Sequence, residues 1–189
     1  MSEVSNNKQA KLSPHLASPS EATLSQTNEL DGLRLSPHFT LGELTKTSYH
    51  TLDGNIPSRV SIENLKRICG WLEILRERYN RKYGDTGGEV PVIINSGYRS
   101  EEVNQKCGGA KGSNHLTGCA VDIRCDGPEQ MIRYAAILLD IDNEKSHNRD
   151  RPLCENFDEL IQEKRGTTYW IHFAVRPKDN RRKILFDCR

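Results

Sequence analysis

The sequence has no long hydrophobic segment and no strong excess of either charge. No apolar run approaches the roughly 18 residues that a membrane-spanning helix needs, and the chain does not open with a basic and then apolar signal-peptide pattern. The formal net charge is +1, which gives no electrostatic reason to expect nucleic acid or an anionic membrane as a partner. We therefore expect a protein that is cytoplasmic as synthesised and that reaches any outside target by a separate route.

Cysteine patterns typical of structural zinc sites are also missing. The chain has six cysteines, and no two of them form a C-x-x-C pair, which argues against a zinc knuckle. The even number would allow three disulfides. Because the chain is not small and no secretion signal accompanies it, we expect free thiols instead.

The composition fits one ordinary domain with a polar extension. The chain has 189 residues, of which 35% are hydrophobic and 28% are charged. Residues 1–35 are rich in Ser, Asn, Gln, Thr and Lys, so they have too little apolar surface to offset the entropy lost on ordering the chain. This composition predicts a disordered tail. Residues 36–189 are expected to form the single folded domain, as a monomer.

Periodicity and capping signals predict helices that alternate with short strands. Thr40 and Glu43 form a capping-box pattern, which starts a helix near Leu41. The other predicted elements are, in order, an amphipathic helix over 61–83, a strand over 90–95, a short helix after Ser100, a strand over 119–125, a helix from Pro128, a surface loop over 140–152, a hairpin with strands over 157–162 and 169–175, and a solvated basic segment over 176–182.

Three polar residues stand out within this pattern. His115 precedes a glycine turn, Asp122 lies on the strand that follows, and His172 lies in a later apolar run. Two imidazoles and one carboxylate are a ligand set of catalytic zinc with one coordination position open. For any single histidine a structural or surface role is the alternative. Strand alternation turns Cys119 away from Asp122, so we expect Cys119 to be a small core residue and not a ligand.

Several longer motifs resemble one family. The segments HFTLGELT, SGYRS, GGAKGSNHLTGCAVDI, FDELIQE and WIHF are similar, in order and spacing, to the zinc D-alanyl-D-alanine carboxypeptidase family, which includes D-Ala-D-Ala dipeptidases and phage peptidoglycan L,D-endopeptidases. The resemblance covers roughly residues 35–175. It implies a small α+β domain, in which a mainly antiparallel sheet is packed by helices on one side. It also implies a zinc peptidase that hydrolyses D-amino-acid-containing bonds of peptidoglycan stem peptides, as a carboxypeptidase or an endopeptidase.

The resemblance assigns roles to matching residues. His115, Asp122 and His172 are implied to bind one zinc ion. Arg99 is implied to steady the substrate or its developing oxyanion. Ser113 is implied to hydrogen-bond the substrate, although shaping the loop that presents His115 is an equal explanation.

The general base departs from the family pattern. Some relatives have a glutamate three residues before the last histidine or a histidine two before it, and here those positions are Tyr169 and Trp170. The base must then come from Glu163, Glu159 or Asp158, and we predict Glu163 first. Trp170 either walls the substrate pocket or packs in the core.

Two other functions remain open on the sequence. A catalytically silent module that keeps the metal and binds the cell wall, or has a structural role in a particle, would explain the departure at Tyr169. An amidase that cuts the link between sugar and peptide is a weaker alternative. For the peptidase, the absence of a recognisable signal peptide fits phage or prophage use, with release through a separate membrane pore.

Overall fold

The structure is a computed structural model that describes residues 32–84, 88–147 and 156–188. Residues 1–31, most of the predicted tail, lie outside the described residues. The helices are α1 (Leu41–Thr45), α2 (Arg59–Tyr83), α3 (Glu101–Lys106) and α4 (Pro128–His147), with a 3₁₀ turn at Asn114–Thr117. The strands are β1 (Ile94–Ser96), β2 (Ala120–Cys125), β3 (Glu159–Arg165), β4 (Thr168–Ala174) and β5 (Lys183–Cys188).

The strands form one open sheet of five in the order β1-β2-β4-β3-β5. Every neighbouring pair is antiparallel except β3 and β5, which run parallel. The sheet packs against helices, so the predicted α+β fold with a mainly antiparallel sheet is confirmed. Among the described residues, no helix is long and apolar enough to cross a membrane.

The core lies between one face of the sheet and the helices α2 and α4. Trp71 of α2 contacts Phe173 of β4 with 5.3 Å between ring centroids, which ties the long helix to the middle of the sheet. Fully buried apolar side chains alternate with more exposed ones along β2, β3 and β4, as a half-covered sheet requires. These buried residues are Val121, Ile123, Leu160, Ile171 and Phe173. The opposite face is therefore left open for polar side chains.

Local capping explains where the helices begin. Thr40 accepts a hydrogen bond from the Glu43 backbone amide, and Glu43 reaches back to the Thr40 amide, so the predicted capping box is present. Ser58 and Ser100 cap α2 and α3 in the same way with their hydroxyl oxygens.

Three predicted elements differ from the structure. The loop predicted over 140–152 is wrong in its first part, because α4 continues to His147 and buries Ile141 and Asp142; residues 148–155 are not described. Strand β1 is shorter than predicted, and the hairpin strands extend closer to the turn at Gly166 and Thr167.

The basic segment near the C-terminus stays largely exposed, but ion pairs tie it to the domain. Arg181 Nη2 lies 2.6 Å from Asp158 and Arg176 Nη2 lies 2.9 Å from it, and the Asp158 side chain is completely buried. The prediction of a solvated segment over 176–182 missed these ion pairs, because a local pattern does not reveal that a buried carboxylate needs cationic partners. The chain then adds β5, a strand that the sequence reading did not predict.

The cysteines of the described residues are free thiols, as expected. These are Cys69, Cys107, Cys119, Cys125 and Cys188. Cys119 is buried on the far side of β2 from Asp122, which agrees with a packing role.

Candidate metal site

The sheet register brings two of the three predicted ligands together. Asp122 of β2 lies directly opposite His172 of β4, and His172 lies opposite Ile161 of β3. Residues paired in this way project from the same face of a sheet, so Asp122 and His172 both stand on the open face. His115 comes from the 3₁₀ turn that precedes β2, and it reaches the same point.

The three ligating atoms form a near-equilateral triangle. His115 Nε2 lies 3.2 Å from Asp122 Oδ1 and 3.2 Å from His172 Nδ1, and His172 Nδ1 lies 3.0 Å from Asp122 Oδ1. Tetrahedral zinc with bonds of about 2.0–2.1 Å separates its ligand atoms by about 3.3 Å. The three residues therefore fit one metal ion with a fourth position open.

A backbone carbonyl sets the tautomer of His115. His115 Nδ1 lies 2.6 Å from the Gly97 carbonyl oxygen, to which it donates its proton. The lone pair of Nε2 is then directed at the triangle, which is the arrangement that a metal ligand needs. Gly97 itself is held against Leu44, whose carbonyl accepts a hydrogen bond from the Tyr98 amide at 2.7 Å.

Arg99 holds the second oxygen of Asp122. Its Nη2 donates to Asp122 Oδ2, while its Nε donates to the Ser96 hydroxyl at 2.8 Å. Because Oδ2 is taken by Arg99, Oδ1 is the oxygen that faces the two histidines. The guanidinium thus touches a predicted metal ligand, and its side chain keeps 17% of its surface exposed.

Glu159 lies behind His172. Its Oε2 is 3.4 Å from His172 Nε2, so His172 presents Nε2 to a carboxylate and Nδ1 to the triangle. Three further groups reach Glu159: Asn114 Nδ2 at 3.0 Å, Arg181 Nη2 at 3.1 Å and Lys183 Nζ at 3.3 Å. A carboxylate that orients the distal nitrogen of a histidine ligand is the usual second partner of such a ligand.

The electrostatics of the triangle follow from burial and from these contacts. Burial lowers the pKa of His115. Burial alone would raise the pKa of Asp122, but the two histidines outweigh it, and the pKa lies well below its ordinary value. Burial alone would lower the pKa of His172, whereas hydrogen bonds to Asp122 and Glu159 raise it to about 9. Without a metal, protonated His172 pairs with Asp122, and a bound metal ion would replace that proton.

The two glutamates predicted as bases share the open face with His172. Glu163 pairs with Trp170, two residues before His172, and Glu159 pairs with Ala174, two residues after it. The hydrogen bond from His172 lowers the pKa of Glu159 to about 2, whereas burial raises the pKa of Glu163 above its ordinary value. The pKa values of the two carboxylates are thus shifted in opposite directions, although both residues lie on the same face of the sheet as His172.

Asp158 does not share this environment. It is buried and held by Arg176 and Arg181, and Asn114 Nδ2 donates to it at 2.9 Å. Burial acts to raise its pKa, but the hydrogen bonds from Arg181 bring the pKa down to about 2. Asp158 is therefore bound to Asn114 and the two arginines, and its role is to support them.

Trp170 lies two residues before His172 on β4, and Ser113 lies two residues before His115. Trp170 lines a cavity of about 130 Å³ together with Glu163, Lys164, Arg165 and Asp187. Ser113 caps the 3₁₀ turn by accepting a hydrogen bond from the His115 amide at 3.3 Å, which supports a loop-shaping role. A larger hollow of about 600 Å³ beside α2 has none of the predicted site residues in its lining.

The supporting residues Gly97, Asn114, Arg181 and Lys183 were not identified from the sequence. The position of Asn114 next to His115 is a weak sequence signal for a role in the site. Arg181 and Lys183 come from the C-terminal segment that was not predicted, and no sequence feature marks them as site residues.

Comparison with known families agrees with this geometry. A family model described as Peptidase M15 matches residues 37–139, more than half of the 189-residue chain, and this range includes His115 and Asp122. No curated protein matches the chain significantly. The chain therefore belongs to Peptidase M15, a family of zinc peptidases that includes D-Ala-D-Ala carboxypeptidases.

Proposed function

We propose that this protein is a zinc-dependent peptidase that hydrolyses D-amino-acid-containing peptide bonds in peptidoglycan stem peptides. The observation that carries the proposal is the triangle of His115 Nε2, Asp122 Oδ1 and His172 Nδ1, whose sides of 3.0–3.2 Å suit one tetrahedral zinc with an open position. Membership in Peptidase M15 supports the reaction class. The resemblance of the SGYRS and SNHLTGCAVDI segments to peptidoglycan peptidases supports the substrate class.

Zinc bound at the triangle would activate a water molecule and polarise the scissile carbonyl. Glu163 would take the proton from this water and pass it to the leaving amine. Its carboxylate is half-buried on the open face, and burial raises its pKa towards the range in which a carboxylate both accepts and returns a proton.

Glu159 and Asp158 are the weaker candidates for the base. Glu159 is engaged by His172, Asn114, Lys183 and Arg181, and its pKa of about 2 makes it a poor proton acceptor at neutral pH. Asp158 is completely buried beneath two arginines. We therefore assign Glu159 to positioning His172, and Asp158 to holding the C-terminal segment.

Arg99 has a positioning role in this proposal and also binds substrate. Its contact with Asp122 Oδ2 keeps Oδ1 turned towards the histidines. Its partly exposed guanidinium stands at the rim of the site, where a planar donor fork suits the substrate carboxylate or the developing oxyanion. Trp170 walls the pocket next to Glu163.

The test combines metal analysis with product analysis. The purified protein, His172→Ala and Glu163→Gln are assayed for bound zinc, and each is incubated with peptidoglycan whose fragments are identified by mass spectrometry. We expect about one zinc per chain and a new D-Ala-containing fragment from the unaltered protein, neither from His172→Ala, and zinc without the fragment from Glu163→Gln. His50→Ala is the matched control, because His50 is exposed and lies outside the triangle.

A second function is a metal-stabilised wall-binding module without catalysis. It is favoured by Tyr169, which stands where some relatives have a glutamate. Zinc binding and wall binding with no fragment from the unaltered protein would establish this module and exclude the peptidase. A fragment lacking the sugar-to-peptide link would instead identify an amidase.

A further inference from the structure

Strand β5 is one of the two edge strands of the sheet, and β1 is the other. Its inner side pairs with β3 from Lys183 opposite Glu159 to Cys188 opposite Lys164, and no strand of the described residues pairs with its outer side. Three consecutive apolar side chains on it are exposed: Ile184 by 49%, Leu185 by 44% and Phe186 by 61%. The strand therefore presents both unpaired backbone groups and apolar surface.

Sheet edges of this kind are usually protected. A proline, a bulge, a charged side chain such as lysine or a covering helix prevents other chains from pairing with an edge. Here β5 has no proline, and its charged residues Lys183 and Asp187 stand on either side of three apolar residues. These apolar residues point to both faces because Leu185 alternates with Ile184 and Phe186. Such an edge can accept a partner strand.

The sequence of β5 is complementary to itself when read in the opposite direction. If a second copy of β5 lies antiparallel with Leu185 opposite Leu185, then Lys183 faces Asp187 of the second copy and Ile184 faces Phe186 of the second copy. Both ends of the pairing then join opposite charges, and the middle joins apolar side chains. Lys183, which contacts Glu159 of its own chain at 3.3 Å, would lie between that carboxylate and Asp187 of the second copy. Such cross-strand pairs are the ones that stabilise antiparallel sheets.

We propose that the protein forms a two-fold symmetric dimer in which β5 pairs antiparallel with β5 of a second copy, centred on Leu185. The partner is a second copy because the charge pattern is satisfied at both ends at once, and an isologous contact closes after two subunits. The sequence alone gave no sign of this edge and led us to expect a monomer. The proposal does not depend on the peptidase activity.

The dimer would place both metal sites on one side of a continuous sheet. The two-fold axis of an antiparallel strand pair is perpendicular to the sheet, so the open faces of both copies point in the same direction. His172, Ile161 and Leu185 lie in one row across β4, β3 and β5. Five strand spacings then separate the two His172 residues, or about 24 Å.

Charge reversal gives a sharp test by analytical ultracentrifugation or light scattering. The unaltered full chain should have twice the monomer mass of 21.5 kDa. Lys183→Asp places two acidic residues opposite each other at both ends, and Asp187→Lys places two lysines there, so each variant alone should be monomeric. An equimolar mixture of the two restores opposite charges at both ends and should form a heterodimer, which also shows that both variants are folded.

Cross-linking tests the register itself. Leu185→Cys brings two cysteines opposite each other at the two-fold axis and should give a disulfide-linked dimer under mild oxidation. Ile184→Cys faces Phe186 of the second copy and is the matched control, which should stay uncross-linked. A monomeric unaltered chain at high micromolar concentration, a dimer unaffected by either charge reversal, or variants that stay monomeric when mixed would each overturn the proposal.

Discussion

His172 Nδ1 lies 3.0 Å from Asp122 Oδ1, and the two residues face each other directly across β4 and β2. Two of the three candidate ligands are therefore placed by the pairing register of the sheet and not by a loop. A slip of one residue would turn one of them to the covered face. A metal ion bound at this point would stabilise the register, and the register in turn brings the candidate ligands together.

Removing the metal should lower the stability of the whole domain. A ligand that binds only the native state adds about 4 kcal/mol when its concentration is 1,000 times its dissociation constant. We expect a chelator to lower the melting temperature of the zinc-loaded protein by several degrees, and added zinc to restore it. Asp122→Asn serves as the comparison, because its melting temperature should respond to neither treatment; an equal response in both proteins would contradict a structural coupling.

Glu159 and Glu163 should separate metal affinity from catalysis. Glu159→Gln removes the carboxylate behind His172 Nε2, and loss of such a partner typically weakens metal binding about 10- to 100-fold. Glu163→Gln should leave zinc affinity within about twofold, because Glu163 lies outside the triangle, while cleavage is lost.

Zinc affinity is measured by competition with a chromophoric chelator. If Glu159→Gln keeps full affinity but loses cleavage, and Glu163→Gln keeps cleavage, the roles that we propose for the two residues are reversed. Retention of both properties by both variants would point to a base elsewhere.

The sequence was informative where function is carried by motifs and uninformative where it is carried by distant pairing. His115, Asp122 and His172 were identified from their spacing and resemblance, and the structure brings all three together. Local capping signals also located the start of α1 and of α3.

The C-terminal segment was missed for a physical reason. KILFDC is a short apolar run after several basic residues, and it becomes a strand only because β3 offers a parallel partner more than 20 positions earlier in the chain. Arg181 likewise looks like a solvated cation until Asp158 is seen to be buried beneath it. Tertiary context of this kind leaves no periodic signal in the segment itself.

The contact between Asp158 and Arg181 should make stability depend on acid. The folded pKa of Asp158 is about 2, below the ordinary value of 3.8, so its contribution is present above about pH 4 and is lost as the pH falls towards 2. A shift of this size corresponds to about 2 kcal/mol. We expect Asp158→Asn to unfold more easily in urea at pH 7, with a difference from the unaltered protein that narrows between pH 4 and pH 2. A difference that stays constant over this range would mean that Asp158 acts through packing and not through its charge.

Gly97 should tolerate no side chain, because two close approaches meet at this residue. A Cβ atom built on Gly97 would lie 2.2 Å from the Leu44 carbonyl oxygen, and the Gly97 carbonyl is the acceptor that fixes the His115 ring. Gly97→Ala must therefore push β1 away from α1, which we expect to cost about 2 kcal/mol of stability, the range of overpacking in a tight contact. The same displacement misaligns His115 Nε2, so zinc affinity should fall in parallel.

Gly112→Ala is the matched control, because a Cβ atom there meets nothing within 4 Å, and it should change neither the melting temperature nor the zinc affinity. If Gly97→Ala lost stability but bound zinc as tightly as the unaltered protein, the Gly97 carbonyl would not be what orients His115.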